Sequence, residues 1–309
     1  MEKKIADDYL NQIILGDCIE EVKKIKSDSV HLILSDIPYG IGIEDWDVLH
    51  DNTNSAYLGT SPGQEKAGAI FKKRGKPLNG WSVADRLIPK QYYDWCLTWV
   101  KDWVRVLKPG GSAFVFAGRR LAHRCICAFE DVGFTYKDMI AWSKEKAPHR
   151  AQRISIVYEK RNDFINSNKW EGWKVGNLRP TFEPILWFIK PYKIGGTIAD
   201  NVIENNVGAY NEKAILKYVN SPDNILPIKS NGDIGLHPTQ KPLKLMQALI
   251  ELTTLENQIV LDPFCGSGTS LLAAKILERN YIGIENNKDY YDTAISRLSE
   301  VKEGEFELT

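Results

Sequence analysis

Five short apolar runs in this chain are each followed by a small or acidic residue. The runs are Gln12–Leu15, Val30–Leu34, Ser112–Phe116, Ile259–Leu261 and Tyr281–Ile284. Because they lack polar alternation, they are typical of strands that are buried on both faces of a parallel sheet. Ligands of such sheets bind at the carboxyl ends of the strands, where these small and acidic residues stand.

Amphipathic segments between the runs predict helices. Pro242–Leu255 begins with a proline suited to a first helical turn, and Ser270–Leu277 continues from a glycine turn. Tyr93–Leu107 is followed by Lys-Pro-Gly-Gly at 108–111, which predicts a helix end and then a turn. The alternation of strands and helices predicts an α/β fold with a doubly wound, mostly parallel, Rossmann-like sheet.

Two segments interrupt this alternation. Residues 47–89 are rich in Gly, Ser, Asn and Pro and contain the basic residues Lys72, Lys73 and Arg74. A loop of this length in a compact domain is usually functional or poorly ordered. Residues 143–236 hold 14 Lys and Arg against 10 Asp and Glu. Because the whole chain has 40 residues of each charge, only such local patches favour binding to nucleic acid.

The composition limits the class of protein. The five cysteines form no Cys-x-x-Cys pair and only five histidines are present, so the sequence predicts no metal site. Scattered cysteines in odd number suit a reducing compartment. Charged residues near the first methionine do not fit a signal peptide, and no apolar stretch is long enough to span a bilayer. The sequence therefore predicts a cytoplasmic protein without a membrane partner.

A strand, a glycine turn and a helix start follow one another in Ile259-Val-Leu-Asp-Pro-Phe-Cys-Gly-Ser-Gly-Thr269. Glycine permits the tight turn and lets a ligand approach the backbone closely. Alone, this pattern also fits a simple connection between strand and helix. Asp262, and Glu285 at the end of the next strand, favour a nucleoside ligand, because a carboxylate there can bind both ribose hydroxyls.

A nicotinamide dehydrogenase is the first alternative for this glycine turn. Leu271 stands where the third glycine of a dinucleotide motif is expected, and the chain after Asp262 is short for a second mononucleotide half. No segment resembles a phosphate cradle. An adenosine cofactor without a pyrophosphate fits better.

Asp36-Ile-Pro-Tyr39 follows the second strand and would be an ordinary turn sequence if it stood alone. It occurs in one chain with His237-Pro-Thr-Gln-Lys-Pro242 and Asp262-Pro-Phe-Cys-Gly-Ser-Gly268. In this order the three motifs resemble those of the amino-group DNA methyltransferases of the β arrangement. That family carries Asp-Pro-Pro-Tyr near the amino terminus and the glycine motif near the carboxyl terminus. The resemblance covers roughly residues 11–45, 90–145 and 180–300.

The resemblance implies a site-specific enzyme that moves a methyl group from S-adenosylmethionine to a base amino group in double-stranded DNA. By analogy, the Asp36 carboxylate and the Pro38 carbonyl each accept one amino N–H, which directs the nitrogen lone pair at the methyl group. Tyr39 would stack on the base, which must be flipped out of the duplex. Ile37 replaces a commoner proline, but its side chain supplies no hydrogen bond, so activity is still expected.

The resemblance also assigns cofactor contacts. Lys241 would pair with the cofactor carboxylate, Glu285 would hold the ribose, and Asp17 would lie near the adenine unless it only ends a strand. The expected cofactor-binding residues are Asp17, Thr239, Lys241, Asp262, Phe264, Gly266, Gly268 and Glu285. The basic residues Lys72, Lys73 and Arg74 are expected to contact DNA.

Asp36 favours adenine N6 as the target, since family members that act on cytosine N4 usually carry serine there. Cytosine N4, RNA, and a non-catalytic DNA-binding scaffold of the same fold are the alternatives. The implied organisation is one permuted catalytic domain over residues 1–309, with an inserted DNA-proximal loop at 47–89 and a target-recognition region at 146–235. The resemblance allows a homodimer and a cognate restriction enzyme as further partners.

Overall fold

The computed structural model describes residues 9–40, 83–144, 151–229 and 241–300. Ten strands lie in these ranges, eight of them in one sheet and two in a separate ribbon. The main sheet contains β1 (Gln12–Leu15), β2 (Val30–Asp36), β3 (Leu107–Phe116), β4 (Thr135–Ser143), β7 (Phe182–Ile189), β8 (Ile225–Leu226), β9 (Ile259–Asp262) and β10 (Asn280–Glu285). The ribbon pairs β5 (Gln152–Arg153) with β6 (Lys174–Val175).

The order of the main sheet is β1-β10-β9-β2-β3-β7-β4-β8. All neighbouring strands are parallel except β7, which runs antiparallel to both β3 and β4. The mostly parallel sheet that the sequence predicted is confirmed, with strands at all five predicted runs. The prediction that β1 is buried on both faces was wrong. This strand lies at the edge of the sheet, and its Leu15 is exposed.

Helices cover both faces of the sheet. On one face lie α1 (Cys18–Lys24), α2 (Val83–Val106) and α3 (Ala122–Asp131). On the other face lie α8 (Leu243–Thr253), α9 (Thr269–Ile276) and α10 (Lys288–Glu300). The remaining helices are α4 (Ile154–Glu159), α5 (Phe164–Lys169), α6 (Ile198–Asn205) and α7 (Glu212–Ile215). Two buried apolar layers, one on each face, hold this doubly wound arrangement together. In the described ranges, no helix is long and apolar enough to cross a membrane.

Helix α2 differs from the sequence prediction at both ends. It begins at Val83 with Pro89 inside it, so the predicted loop over 47–89 ends at least seven residues early. The predicted turn at 108–111 lies within β3, because the chain passes from helix to strand at Leu107. The pairing of β2 with β3 shifts there, from Val30–Leu107 to Leu32–Ser112, and the extra residues bulge out of the ladder.

The predicted target-recognition region at 146–235 is divided by the sheet. β7 lies between β3 and β4, and β8 pairs with β4 at the edge, so both belong to the central scaffold. Residues 151–181, here named the rim segment, connect β4 to β7 and carry α4, α5 and the ribbon. Ser143, the last residue of β4, pairs with Phe182, the first residue of β7. The rim segment therefore lies beyond the ends of these two strands.

Candidate functional site

Three acidic residues meet at one rim of the sheet because each ends a parallel strand. Asp36 is the last residue of β2, Asp262 of β9 and Glu285 of β10, and these strands are adjacent. A cavity of about 320 Å³ opens at this rim, and all three residues line it. Its size is within the range of small-molecule sites.

Most of the predicted site residues line this cavity. From the predicted set, the lining contains Asp17, Asp36, Pro38, Lys241, Asp262, Phe264, Gly266 and Glu285. Tyr39 is hydrogen-bonded to Asp36, and Gly268 precedes the first residue of α9. Thr239, Lys72, Lys73 and Arg74 lie outside the described residues, so their expected contacts remain predictions.

Sequence reasoning missed an aromatic wall of the cavity. Trp95 and Trp99 of α2 line it, and their rings lie 6.0 Å and 5.5 Å from the Phe264 ring between centroids. Trp103 continues this cluster one helical turn further along. The four-residue spacing of the three tryptophans is a signal that could have identified this wall, because it places them on one helix face.

The glycine loop is held by Asp262. Its carboxylate accepts hydrogen bonds from Ser35 Oγ at 2.6 Å, from the Phe264 backbone N–H at 3.1 Å, and from Ser270 Oγ. Burial raises the pKa of Asp262 to about 7, although these hydrogen bonds oppose the shift. Asp262 thus ties β2, the loop and α9 together.

Gly266 and Glu285 shape one side of the cavity. Gly266 has φ +52°, a left-handed conformation that glycine adopts readily, and a Cβ there would meet no atom within 4 Å. Its N–H donates to Glu285 Oε2 at 2.8 Å, and the Asn287 N–H donates to Oε1 at 2.8 Å. A carboxylate has about four acceptor positions, so Glu285 retains acceptors for a ligand. Burial raises the pKa of Glu285.

Asp17 has a structural role that the sequence left open. Its side chain accepts the Ile19 N–H at 2.8 Å and caps the start of α1. Asp17 also lines the cavity. It follows β1, the neighbour of β10, which ends at Glu285. Capping and an approach to the cofactor are therefore compatible at this position.

The turn Asp36–Tyr39, predicted to be catalytic and here named the catalytic turn, carries a dense set of hydrogen bonds. Tyr39 OH lies 2.9 Å from Asp36 Oδ1, and Lys241 Nζ donates to Asp36 Oδ2 at 2.5 Å. Tyr92 OH donates to the Pro38 carbonyl oxygen at 3.0 Å. Burial raises the pKa of Asp36, and the Lys241 ammonium partly offsets this shift.

Glu183, which no motif singled out, completes this group. It accepts hydrogen bonds from Tyr39 OH and Lys144 Nζ, and Lys241 Nζ lies 3.0 Å from its Oε1. Burial alone would raise the pKa of Glu183, but the ammonium groups of Lys241 and Lys144 lower it to about 2. Lys241 was expected to pair with the cofactor, but here its ammonium group contacts Asp36 and Glu183. Burial alone would lower the pKa of Lys241, but these two carboxylates raise it.

Comparisons with known proteins agree with this site. The family described as DNA methylase matches residues 30–296. The type II methyltransferase M.HindIII of Haemophilus influenzae is 57% identical over 289 residues, which are 92% of this chain and 93% of that protein. The type II methyltransferase M.HinfI of Haemophilus influenzae is 28% identical over 98% of this chain and 72% of that protein.

Solved structures show the same fold. The M1.HpyAVI–SAM complex has a TM-score of 0.54 at 24% identity, covering 96% of this chain and 99% of that chain. The cytosine-N4-specific PvuII DNA methyltransferase has a TM-score of 0.58 at 20% identity, covering 93% of this chain and 85% of that chain. At these identities the likeness concerns the fold.

The family match spans the catalytic turn, the glycine loop and Glu285, and the resemblance predicted from the three motifs is confirmed. The cavity brings Asp36 and the glycine loop to one rim of the sheet. The chain belongs to the DNA methylase family, and it is an S-adenosylmethionine-dependent DNA methyltransferase.

Proposed function

We propose that this enzyme methylates adenine N6 at a specific sequence in double-stranded DNA, as the modifying partner of a type II restriction enzyme. The observation that carries the proposal is that Asp36 and Gly266, 230 residues apart in the chain, line one cavity. The target amino group and the cofactor would therefore meet at the same rim of the sheet.

The residues of the catalytic turn would act by positioning the target amino group. An exocyclic amino group is a poor nucleophile because its lone pair is conjugated with the ring. When Asp36 and the Pro38 carbonyl each accept one N–H, the lone pair points out of the ring plane. The hydrogen bond from Tyr92 holds the Pro38 carbonyl in place. Tyr39 would stack on the flipped base, a contact worth about 1–3 kcal/mol.

The cofactor side would use the other residues of the cavity. The bound cofactor supplies an electrophilic methyl group on a sulfonium. Glu285 would accept hydrogen bonds from the ribose hydroxyls through its remaining acceptor positions. Phe264 and the aromatic wall of α2 would exclude water around the adenosine.

Incubation of the enzyme with labelled cofactor and duplex DNA, followed by digestion to nucleosides, tests the proposal. We expect labelled N6-methyladenine. Finding N4-methylcytosine instead would overturn the choice of base. Tight DNA binding without incorporation into any duplex would indicate the non-catalytic scaffold, and labelling of RNA in preference to duplex DNA would indicate an RNA methyltransferase.

The rim segment is proposed as part of the DNA-binding surface. Residues 151–181 contain six basic and three acidic residues, and the six basic side chains are exposed. The basic residues are Arg153, Lys160, Arg161, Lys169, Lys174 and Arg179. Exposed Phe164 and Trp173 stand among them. Cationic side chains at the catalytic rim fit the phosphates that flank a flipped base.

Replacing Lys160 and Arg161 by alanine is expected to weaken DNA binding and to make it less sensitive to salt. Loss of two phosphate contacts should lower the slope of log K against log salt concentration by about 2. Fluorescence anisotropy with a labelled duplex at several salt concentrations measures this slope. The matched control replaces Lys193, which follows β7, and Lys213, the second residue of α7; both are also exposed and lie away from the catalytic rim. Equal slopes for both pairs would exclude the rim segment from the interface.

The remaining partners follow from the same proposal. A modifying enzyme of this kind protects the DNA sequence that it methylates. A restriction enzyme that cuts the same DNA sequence is therefore the expected counterpart. Both would act on DNA in the cytoplasm. We also propose a homodimer, which is compatible with this role. Light scattering of the purified enzyme would test this assembly by measuring its mass.

A further inference from the structure

A buried group of charges surrounds the catalytic carboxylate and includes a residue outside the motifs. The side chain of Lys241 is 6% exposed and lies between Asp36 and Glu183, at 2.5 Å and 3.0 Å. Glu183 is 12% exposed and is also paired with Lys144, which is 31% exposed. The two lysines and two carboxylates balance in charge. Charges this deeply buried are costly unless each one has a partner.

Tyr39 connects the two carboxylates of this group. Its hydroxyl oxygen lies within hydrogen-bond distance of Asp36 Oδ1 and of Glu183 Oε1. A phenol has one hydroxyl hydrogen, so Tyr39 can donate to only one carboxylate at a time. When Tyr39 donates to Glu183, Asp36 Oδ1 remains an acceptor for another N–H.

We propose that Glu183 is a positioning residue, which takes the hydroxyl hydrogen of Tyr39 and shares Lys241, so that Asp36 Oδ1 stays available to the target amino group. This inference rests on the proposed function, because it assigns Asp36 the amino N–H. Glu183 itself touches neither base nor cofactor in this account. The ammonium groups of Lys241 and Lys144 keep Glu183 ionised while its carboxylate accepts from Tyr39 and Lys241.

The position of Glu183 in the fold connects the catalytic turn to the rim segment. Glu183 is the second residue of β7, and Lys144 directly follows β4. The Lys144 N–H also donates to the Thr181 carbonyl at 2.7 Å. The Lys144–Glu183 pair thus holds together the two ends of the connection that contains the rim segment.

The test compares substitutions of Glu183 with those of Tyr39 in the full-length enzyme. Glu183→Ala should lower kcat about 100-fold, because Tyr39 would then donate to Asp36 and occupy the acceptor. Glu183→Gln, whose amide oxygen can accept from Tyr39, should restore part of the rate. Tyr39→Phe in the Glu183→Ala background should raise kcat relative to Glu183→Ala alone, since the competing hydroxyl is removed. A double variant no faster than Glu183→Ala would overturn the proposal.

The pH dependence gives a second readout. The groups that face Asp36 are Lys241, Glu183, Tyr39 and Asp262. The Glu183 carboxylate raises the pKa of Asp36, so its removal should move the acid limb of kcat against pH to lower pH. An unchanged limb would count against the role of Glu183.

Glu251 provides a matched control. This buried residue of α8 accepts hydrogen bonds from Lys217 Nζ at 2.5 Å and Tyr218 OH at 2.6 Å, the same pair of donor types, and it does not line the cavity. Glu251→Gln should leave kcat and its pH profile unchanged.

Calorimetry should find unchanged cofactor affinity in Glu183→Ala. If the unmodified enzyme methylates no nucleic acid, the proposed function fails. If it is active and Glu183→Ala matches it, only the present inference fails.

Discussion

Replacing Asp36 by alanine is expected to lower the rate of methyl transfer by about 100- to 1000-fold. A preorganised acceptor aimed at the charge that develops on the reacting group is worth this much in enzymes for which one such group was removed. Asp36 stands at the end of β2, in the wall of the cavity, with Lys241 on Oδ2. Single-turnover transfer of labelled methyl groups to duplex DNA measures the effect on the chemical step.

Two controls separate this loss from misfolding and from loss of the cofactor. Thermal unfolding should show that the variant is folded, and calorimetry should show cofactor binding within a few-fold of the unmodified enzyme. Asp36→Asn keeps the shape but places an amide near Lys241, so we expect a loss of similar size. A variant at Asp36 that transfers methyl groups at the original rate would refute the assignment of the carboxylate.

The parts of the fold that depend on local patterns could be predicted from the sequence. Apolar runs located five strands of the main sheet, and the residues that follow them located the rim. Asp36, Asp262 and Glu285 could be brought together without coordinates, because parallel strands place their carboxyl ends at one edge. The sequence predicted helix α2 only from Tyr93, whereas the helix begins at Val83 and contains Pro89, a residue that usually disrupts a helix interior.

The parts of the site that depend on strand order could not be predicted. Glu183 reaches Tyr39 because β7 inserts antiparallel between β3 and β4, and no local pattern indicates that insertion. The Tyr92 hydrogen bond to Pro38 likewise joins residues 54 positions apart. Family motifs also placed Lys241 against the cofactor and gave no sign of its two carboxylate partners. Contacts of this kind require the topology before they can be stated.

Replacing Asp262 by alanine is expected to destabilise the enzyme by about 3–5 kcal/mol and to weaken cofactor binding. The change would leave the buried hydroxyls of Ser35 and Ser270 and the Phe264 N–H without their acceptor. Each such unsatisfied group costs about 1–3 kcal/mol, and some of this cost is recovered by rearrangement. Urea unfolding measures the free energy, and calorimetry measures cofactor affinity. Glu251→Ala, which also removes a buried carboxylate, should destabilise without affecting the cofactor.

Asp262 also predicts a pH dependence of stability with a definite sign. Burial raises the pKa of Asp262 in the folded protein to about 7, above its ordinary value of 3.8. The folded state therefore binds this proton more tightly than the unfolded state. Its contribution to stability is fully present below pH 3.8 and is lost as the pH rises to about 7. Asp262→Asn cannot ionise and should lack this slope. The free energy of unfolding of the native enzyme, relative to that of the Asn variant, should therefore fall between pH 3.8 and about pH 7. Parallel stability curves for the two proteins over this interval would show that Asp262 is ionised throughout.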